Sequence, residues 1–171
     1  MNGKAPAADS PEITALVSYM YWLSAGAPAG KVLAGQGYLE FKKPVIEPSY
    51  NAGKKVYEKN CALCHSSDGS GQFAEGKTVF PPLWGKNSFN WGAGMHKINT
   101  AAGFIKSNMP FGRGGMLSDQ EAWDVAHFIN SQERPKDPRQ KSDIDGTKNE
   151  FHNENCSYGK EVNGRKLGTG E

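Results

Sequence analysis

The stretch Cys61-Ala62-Leu63-Cys64-His65 decides how the rest of this chain is read. At the end of a helix, one turn sets two thiols at the spacing of a porphyrin's vinyl groups and aims the following imidazole at the iron. Two other uses of paired cysteines fit less well. A structural zinc site needs a second ligand pair at short spacing, and the chain offers only the distant Cys156 with His152 four positions before it. A dithiol redox site sits at the start of a helix in a βαβ context, and no strand pattern precedes Cys61. The expected cofactor is therefore one haem c, covalently attached through Cys61 and Cys64, with His65 as an axial ligand.

Working outward from the motif, a helix is expected over about Tyr50 to Cys64. Ser49 or Asn51 would cap it, and Val56, Tyr57, Cys61 and Cys64 would share one side. Residues 66–94 are rich in Gly, Ser, Asn and Pro, broken by Val79-Phe80-Pro81-Pro82-Leu83-Trp84. Phe80, Pro81, Pro82, Leu83, Trp84, Trp91 and Phe104 are candidates for the apolar wall around the haem. A proline carbonyl in this stretch is expected to accept a hydrogen bond from His65 Nδ1, and Pro82 is a candidate haem-contacting residue. Another helix spans Met95 to Lys106, and residues 107–117 form a Gly-rich loop. The last helix begins at Ser118-Asp119-Gln120-Glu121, a capping box, with Ala122, Val125, Ala126 and Ile129 on one face.

The sixth iron position has several candidates: Met95, His96, Met109, Met116, His127 or a small molecule. Context favours Met109, which stands in Ser107-Asn108-Met109-Pro110-Phe111-Gly112, where an irregular backbone can present a thioether. A saturated His/Met iron suits one-electron transfer and leaves no position for a substrate.

Composition bounds the remainder. The chain has 171 residues, enough for one domain with extensions, and 37% hydrophobic residues with 21 Gly and 10 Pro, which describes a small centre wrapped in loops. Twenty Lys and Arg against 18 Asp and Glu leave a charge of +2, too little to argue for nucleic acid as a partner. The lysines around the motif are interleaved with acids and read as a solvated surface. No stretch is apolar for the length of a membrane span. Haem attachment of this kind takes place outside the cytoplasm, so the motif implies the periplasm, and with no signal peptide recognisable the expectation is a mature or truncated product. Three cysteines with two in one motif are no disulfide framework. Cys156 is read as incidental or available for pairing, with a reactive thiol as the alternative.

Upstream, residues 10–24 read as a capped, well-buried helix with Ile13, Leu16, Val17 and Met20 on one side, and residues 25–48 as a linker with Tyr38, Leu39 and Phe41 against a core. Met1 precedes Ser10 by the same interval as Met109 precedes Ser118, an offset of 108 residues that also places Val17 on Val125 and Met20 on Phe128. Residues 1–24 thus read as the closing helix of a truncated preceding domain of similar type. Residues 49–134 are the haem domain, and residues 135–171 are expected to be a polar, surface-wrapping or partly mobile tail with few apolar anchors.

These residues resemble a class I cytochrome c domain, through Gly53-x-x-x-Tyr57, the CALCH motif, Phe80-Pro81-Pro82-Leu83, Met109-Pro110-Phe111-Gly112 and Leu117-Ser118-Asp119-Gln120-Glu121. The resemblance implies an all-α fold, helices around one covalent haem, with long Gly/Pro-rich loops and extended terminal segments. It also implies that the first and last helices cross, bringing Gly53 and Tyr57 near Val125 and Phe128. Met1-Asn2-Gly3-Lys4, Asp9-Ser10-Pro11-Glu12, Val17-Ser18-Tyr19-Met20 and Trp22-Leu23-Ser24 narrow the likeness to the diheme thiosulfate dehydrogenases. Those enzymes couple two thiosulfates to tetrathionate at an N-terminal haem with a cysteine ligand, and pass electrons through a C-terminal haem. This chain lacks the first attachment motif and the ligand cysteine. The resemblance makes Met109 the ligand of the C-terminal haem, with Asn108 where some members carry lysine. The expected partners are a redox protein and a second haem domain.

Overall fold

A computed structural model describes residues 6–31, 33, 42–141 and 143–170. The expectations for Tyr38, Leu39 and Phe41, and for the Met1 end of the internal echo, lie outside the described residues.

The chain divides into two compact units, Met1–Gly37 and Tyr38–Glu171. In the first, Ser10 Oγ accepts a hydrogen bond from the Ile13 amide at 3.3 Å, Pro11 takes the first helical position, and helix α1 runs Pro11–Leu23. The expectation that this helix is buried is corrected. None of its residues is buried, and Met20 and Trp22 are 60% and 68% exposed. Among the described residues α1 is the one helix of its unit, so no second element of that unit covers its apolar side.

The second unit is built on helices α2 (Tyr50–Asn60), α3 (Ala62–His65), α4 (Ile98–Asn108), α5 (Asp119–Asn130) and α6 (Ile144–Phe151). Ser49 caps α2, accepting from the Ala52 amide at 3.3 Å. Both halves of the expected capping box start α5: Ser118 Oγ accepts from the Glu121 amide, and Glu121 Oε2 accepts from the Ser118 amide at 2.8 Å. The crossing of α2 and α5 depends on Gly53. A Cβ there would overlap the Asp124 carbonyl and meet Phe128 Cβ, so only glycine permits the approach. Tyr57 then packs on Phe128 with ring centroids 5.4 Å apart, and Asp124 Oδ1 accepts from the Ser49 amide at 2.7 Å, tying the start of α2 to the middle of α5. Around this crossing Ile98, Ala101, Ala102, Ile105, Leu117, Ala122, Trp123, Val125, Ala126, Phe128 and Ile129 form the main core.

Two small antiparallel hairpins supplement the helices. Strands β1 (Gln72–Ala74) and β2 (Lys77–Phe80) turn through Glu75 and Gly76, while β3 (Glu161–Val162) and β4 (Arg165–Lys166) turn through Asn163-Gly164, both residues with positive φ. The helical class stands.

The reading of residues 135–171 as a polar tail is corrected. This segment builds a second core of Trp91, Cys156, Tyr158 and Leu167, flanked by Ile144 and Val162. Its anchor is the Glu133 carboxylate, which accepts hydrogen bonds from Trp91 Nε1 (2.7 Å), the Arg134 amide (2.9 Å), the Gly168 amide (2.9 Å) and Thr169 Oγ1 (3.1 Å). Burial pushes this carboxyl up, but those hydrogen bonds outweigh it and hold Glu133 below its ordinary value.

Candidate functional site

Helix α2 ends at Asn60, and Cys61 leaves the helical region (φ −120°) before α3 restarts for one turn. The Cys61 carbonyl accepts from the amides of Cys64 (3.1 Å) and His65 (2.9 Å), winding the motif into a single tight turn. Two side chains hold that turn in place. Tyr57 OH donates to the Ser66 carbonyl at 2.6 Å, and Gln72 Nε2 donates to the Leu63 carbonyl at 2.6 Å. The residue types had placed Tyr57 in the core, but only the fold gives its hydroxyl this bracing role. Burial, then the neighbouring Cys64, pushes the Cys61 thiol up to about 11.

His65 Nδ1 donates to the carbonyl of Pro81 at 2.9 Å. The expected proline carbonyl is present and is that of Pro81. Pro81 sits where β2 ends, and the Phe80 carbonyl and Pro81-Pro82 backbone lie so close to Gly71 (φ +76°) that a Cβ on Gly71 would overlap them. The adjoining Leu83 amide donates to the Gly69 carbonyl at 2.8 Å. With Nδ1 engaged, Nε2 is the donor left for a metal.

Met109 follows the last turn of α4 in extended backbone, its amide donating to Ile105 O at 2.9 Å, and its side chain packs against the main core. The loop that presents it is closed at both ends. The Gly115 amide donates to Lys106 O (2.8 Å), Lys106 Nζ donates to Leu117 O (2.7 Å), and the same ammonium pairs with Asp119 at 2.8 Å. Asn108 Nδ2 is turned back onto Phe104 O at 3.0 Å.

The other candidates for the sixth position stand elsewhere. His96 is buried against Trp91 and His152 in the second core region, with ring centroids 6.5 and 4.8 Å away. Met116 is 46% exposed, and His127 is half-buried on α5, where burial pushes its imidazole down. Trp91, expected in the haem wall, belongs instead to the second core, while Trp84 meets Tyr57 at a tilt (5.0 Å, 53°) and Phe128 edge to face (5.7 Å, 87°).

The donor set and its surroundings fit haem c. Two thiols on one turn, an imidazole oriented through Nδ1 and a thioether are the groups such a cofactor takes. Cys61, Ala62, Leu83, Trp84 and Met109 all pack against the main core while remaining partly exposed, so they offer apolar surface for a flat, apolar ring to cover. No described helix is long and apolar enough to cross a membrane.

Comparison with known proteins gives the same assignment. Residues 48–129 match the family described as "Cytochrome C oxidase, cbb3-type, subunit III". A thiosulfate dehydrogenase of Stutzerimonas stutzeri (strain A1501) is 54% identical over 173 residues, covering 99% of this chain and 56% of that protein. One of Thiomonas intermedia (strain K12) is 52% identical over 168 residues, covering 98% and 54%. The chain thus spans about half the length of the curated relatives it matches. Among solved structures, the thiosulfate dehydrogenase (TsdBA) from Marichromatium purpuratum in its "as isolated" form superposes with a TM-score of 0.85 at 43% identity, over 99% of this chain and 37% of that one. The tight CALCH turn and these likenesses lead to one statement: the chain carries a cytochrome c domain with haem c attached through Cys61 and Cys64, and it is similar to part of the thiosulfate dehydrogenases.

Proposed function

We propose that this chain relays single electrons through one His/Met haem, with His65 and Met109 as axial ligands, and that it is the electron-exit domain of a sulfur-compound oxidoreductase. The observation that carries the reading is the His65–Pro81 hydrogen bond, because it fixes the imidazole plane and leaves Nε2 for iron. When bound, the haem supplies a reversible one-electron couple. This chain's residues do the rest. Cys61 and Cys64 would anchor the ring, the Pro81 carbonyl raises the basicity of His65, and the closed 107–117 loop would offer Met109 as the second ligand. Leu83, Trp84 and Met109 pack against the main core but stay partly exposed, and a ring covering them would displace water and so limit reorganisation on electron exchange.

A thioether sixth ligand favours the ferrous state relative to a second histidine, which suits an acceptor of electrons from a neighbouring haem. The expected partners are a redox protein as electron acceptor and a second haem domain as donor, in the periplasm. On this reading Pro82 would contact the haem beside Pro81, whose carbonyl accepts from His65 Nδ1.

The test is optical. Met109→Gly should abolish the weak thioether-to-ferric-iron charge-transfer band at the red end of the visible spectrum while covalent haem is retained. Persistence of that band would refute Met109 as ligand.

A second reading is favoured by one feature, the capped helix α1 with its uncovered apolar side and its offset likeness to α5. On this reading residues 1–24 close a preceding haem domain, 25–48 link it, 49–134 are the haem domain and 135–171 its extension, and the whole protein oxidises thiosulfate to tetrathionate. A second CxxCH and a further cysteine encoded upstream of Met1 are expected; their absence would rule this reading out. Rapid thiosulfate-dependent reduction of the chain alone would overturn the relay.

A further inference from the structure

His96, His152 and Cys156 converge outside the haem site, where the C-terminal segment meets the 3-10 turn (Gly94–His96) that precedes α4. One ligand atom from each lies within 4.8 Å of the other two. The hydrogen bonds fix which nitrogen of each ring carries the proton. His96 Nδ1 stands 2.6 Å from the Ala93 carbonyl, which only accepts, so the proton is on Nδ1 and Nε2 is a lone pair. That Nε2 is buried, has no hydrogen-bond partner, and belongs to a residue 2% exposed. His152 Nε2 stands 3.0 Å from the Asp137 carboxylate, another pure acceptor, with both side chains fully buried. Its proton is therefore on Nε2, and the Nδ1 lone pair faces Cys156 Sγ at 3.3 Å.

One imidazole lone pair thus faces the thiol at 3.3 Å, and the His96 ring stands beside it with its own buried lone pair unpaired. The thiol has a single hydrogen, so it can satisfy one ring and leaves the other desolvated and unpaired. A cation bound by all three atoms resolves the conflict. The surroundings are those of ligands. The Tyr158 amide donates to Sγ at 3.3 Å, and the His152 ring is stacked on Tyr158 at 4.1 Å and 6°. Asp137 behind His152 is itself held by Arg139 Nε at 2.9 Å and Nη2 at 2.6 Å, which makes the carboxylate–imidazole relay that orients metal-binding histidines. With zinc–sulfur and zinc–nitrogen bonds of about 2.3 and 2.0–2.1 Å, a tetrahedral nitrogen–sulfur edge is roughly 3.5 Å, near the observed His152–Cys156 separation. Two imidazoles and a thiolate select a borderline-soft ion and exclude calcium or magnesium.

We propose that His96, His152 and Cys156 bind one borderline-soft transition-metal ion of the zinc(II) or copper class, with Cys156 as thiolate and its proton released to solvent. The ion pins the C-terminal segment to the turn before α4. The sequence had shown His152 and Cys156 without a partner pair; the fold supplies His96 as the third donor.

The experiment titrates the haem-loaded chain, stripped with chelator, with zinc chloride, and follows binding by competition against a chromophoric chelator, by proton release and by zinc-edge X-ray absorption. The expected result is one zinc per haem, one proton released, and one sulfur neighbour at about 2.3 Å. Cys156→Ser should lose the sulfur neighbour and the proton, and Asp137→Asn, which keeps all three ligands, should weaken binding about 10- to 100-fold. Cupric ion displacing zinc at the same stoichiometry supports the same site, with copper as the tighter occupant. Failure to bind one equivalent, or a bound zinc with only nitrogen and oxygen neighbours, overturns the proposal. So does Cys156→Ser binding as the unaltered chain does with its haem spectrum intact.

Discussion

The two cores of the second unit are held by different means. The main core lies where α2, α4 and α5 meet, and its members recur at helical spacing, so each helix presents a stripe that only needs a neighbour. The second core has four buried residues drawn from Trp91 and from positions 156 to 167, and polar groups surround it: the Glu133 carboxylate, the Asp137–Arg139 pair and the His96–His152 pair. Arg134 lies there too, its guanidinium 4.2 Å over Phe89 and 5.0 Å over Trp91, with Nη2 donating to Ile129 O at 2.8 Å. The lesson is that helical periodicity organises the haem region, whereas buried polar groups with fixed partners organise the C-terminal segment.

The largest effect tests the haem side alone. Cys64→Ala should remove one thioether bond, leaving haem attached only through Cys61 or lost, as read by the mass of the intact protein and the pyridine haemochrome band; the second core should be untouched by hydrogen exchange. Leu167→Ala works on the other side. Emptying a site only 2% exposed should cost about 2–5 kcal/mol and raise exchange in residues 144–170, with the haem spectrum unchanged. If the haem spectrum shifts as well, the two cores are one cooperative body.

Gly53→Ala should cost about 1–3 kcal/mol, because a methyl at the α2–α5 crossing meets backbone that cannot yield, and it should lower the melting temperature of the haem region. Glu133→Gln should cost somewhat less, about 1–3 kcal/mol at the lower end, since its amide nitrogen would face the donors that the carboxylate accepts. Acid should mimic it. Glu133 has a folded-state value below its unfolded one, so its stabilisation is complete at neutral pH and is lost as pH falls through the folded-state value, loosening residues 144–170 first. Smallest is Ser118→Ala, which removes one half of the capping box and should cost about 1 kcal/mol, checked by thermal unfolding.

Much of the haem region was legible because its signals are local. The CALCH motif, the Ser49 and Ser118 caps and the Met109 loop each depend on neighbours within a few residues, while the approach of Gly53 and Tyr57 to α5 was legible only through the family resemblance. The motif turn and the two caps match in kind, with the break at Cys61 as a refinement of one residue and Pro81 as the proline whose carbonyl meets His65. A run of two prolines cannot be resolved from sequence, because which carbonyl faces His65 depends on how β2 and Gly71 steer the chain.

The C-terminal segment was misread for the opposite reason. Residues 135–171 are polar by composition, and polarity usually means solvent, but here Glu133, Arg134 and Asp137 are buried against partners far along the chain, Trp91 and Gly168, Phe89, and His152 in turn. No periodicity announces such partners. Cys156, read as incidental or available for pairing, is 1% exposed, and burial pushes its thiol up, which removes the reading as a reactive surface thiol.

By itself the sequence determined that this protein holds haem c through Cys61 and Cys64, that helices frame it, and that Met109 stands in a loop fit to present a thioether. Those features are written in spacing along one turn or one helix. Only the tertiary structure decided that Pro81 orients His65, that Trp91 leaves the haem wall for a second core, and that His96 meets His152 and Cys156. These are encounters between residues distant in sequence, and their geometry exists only once the chain has closed on itself.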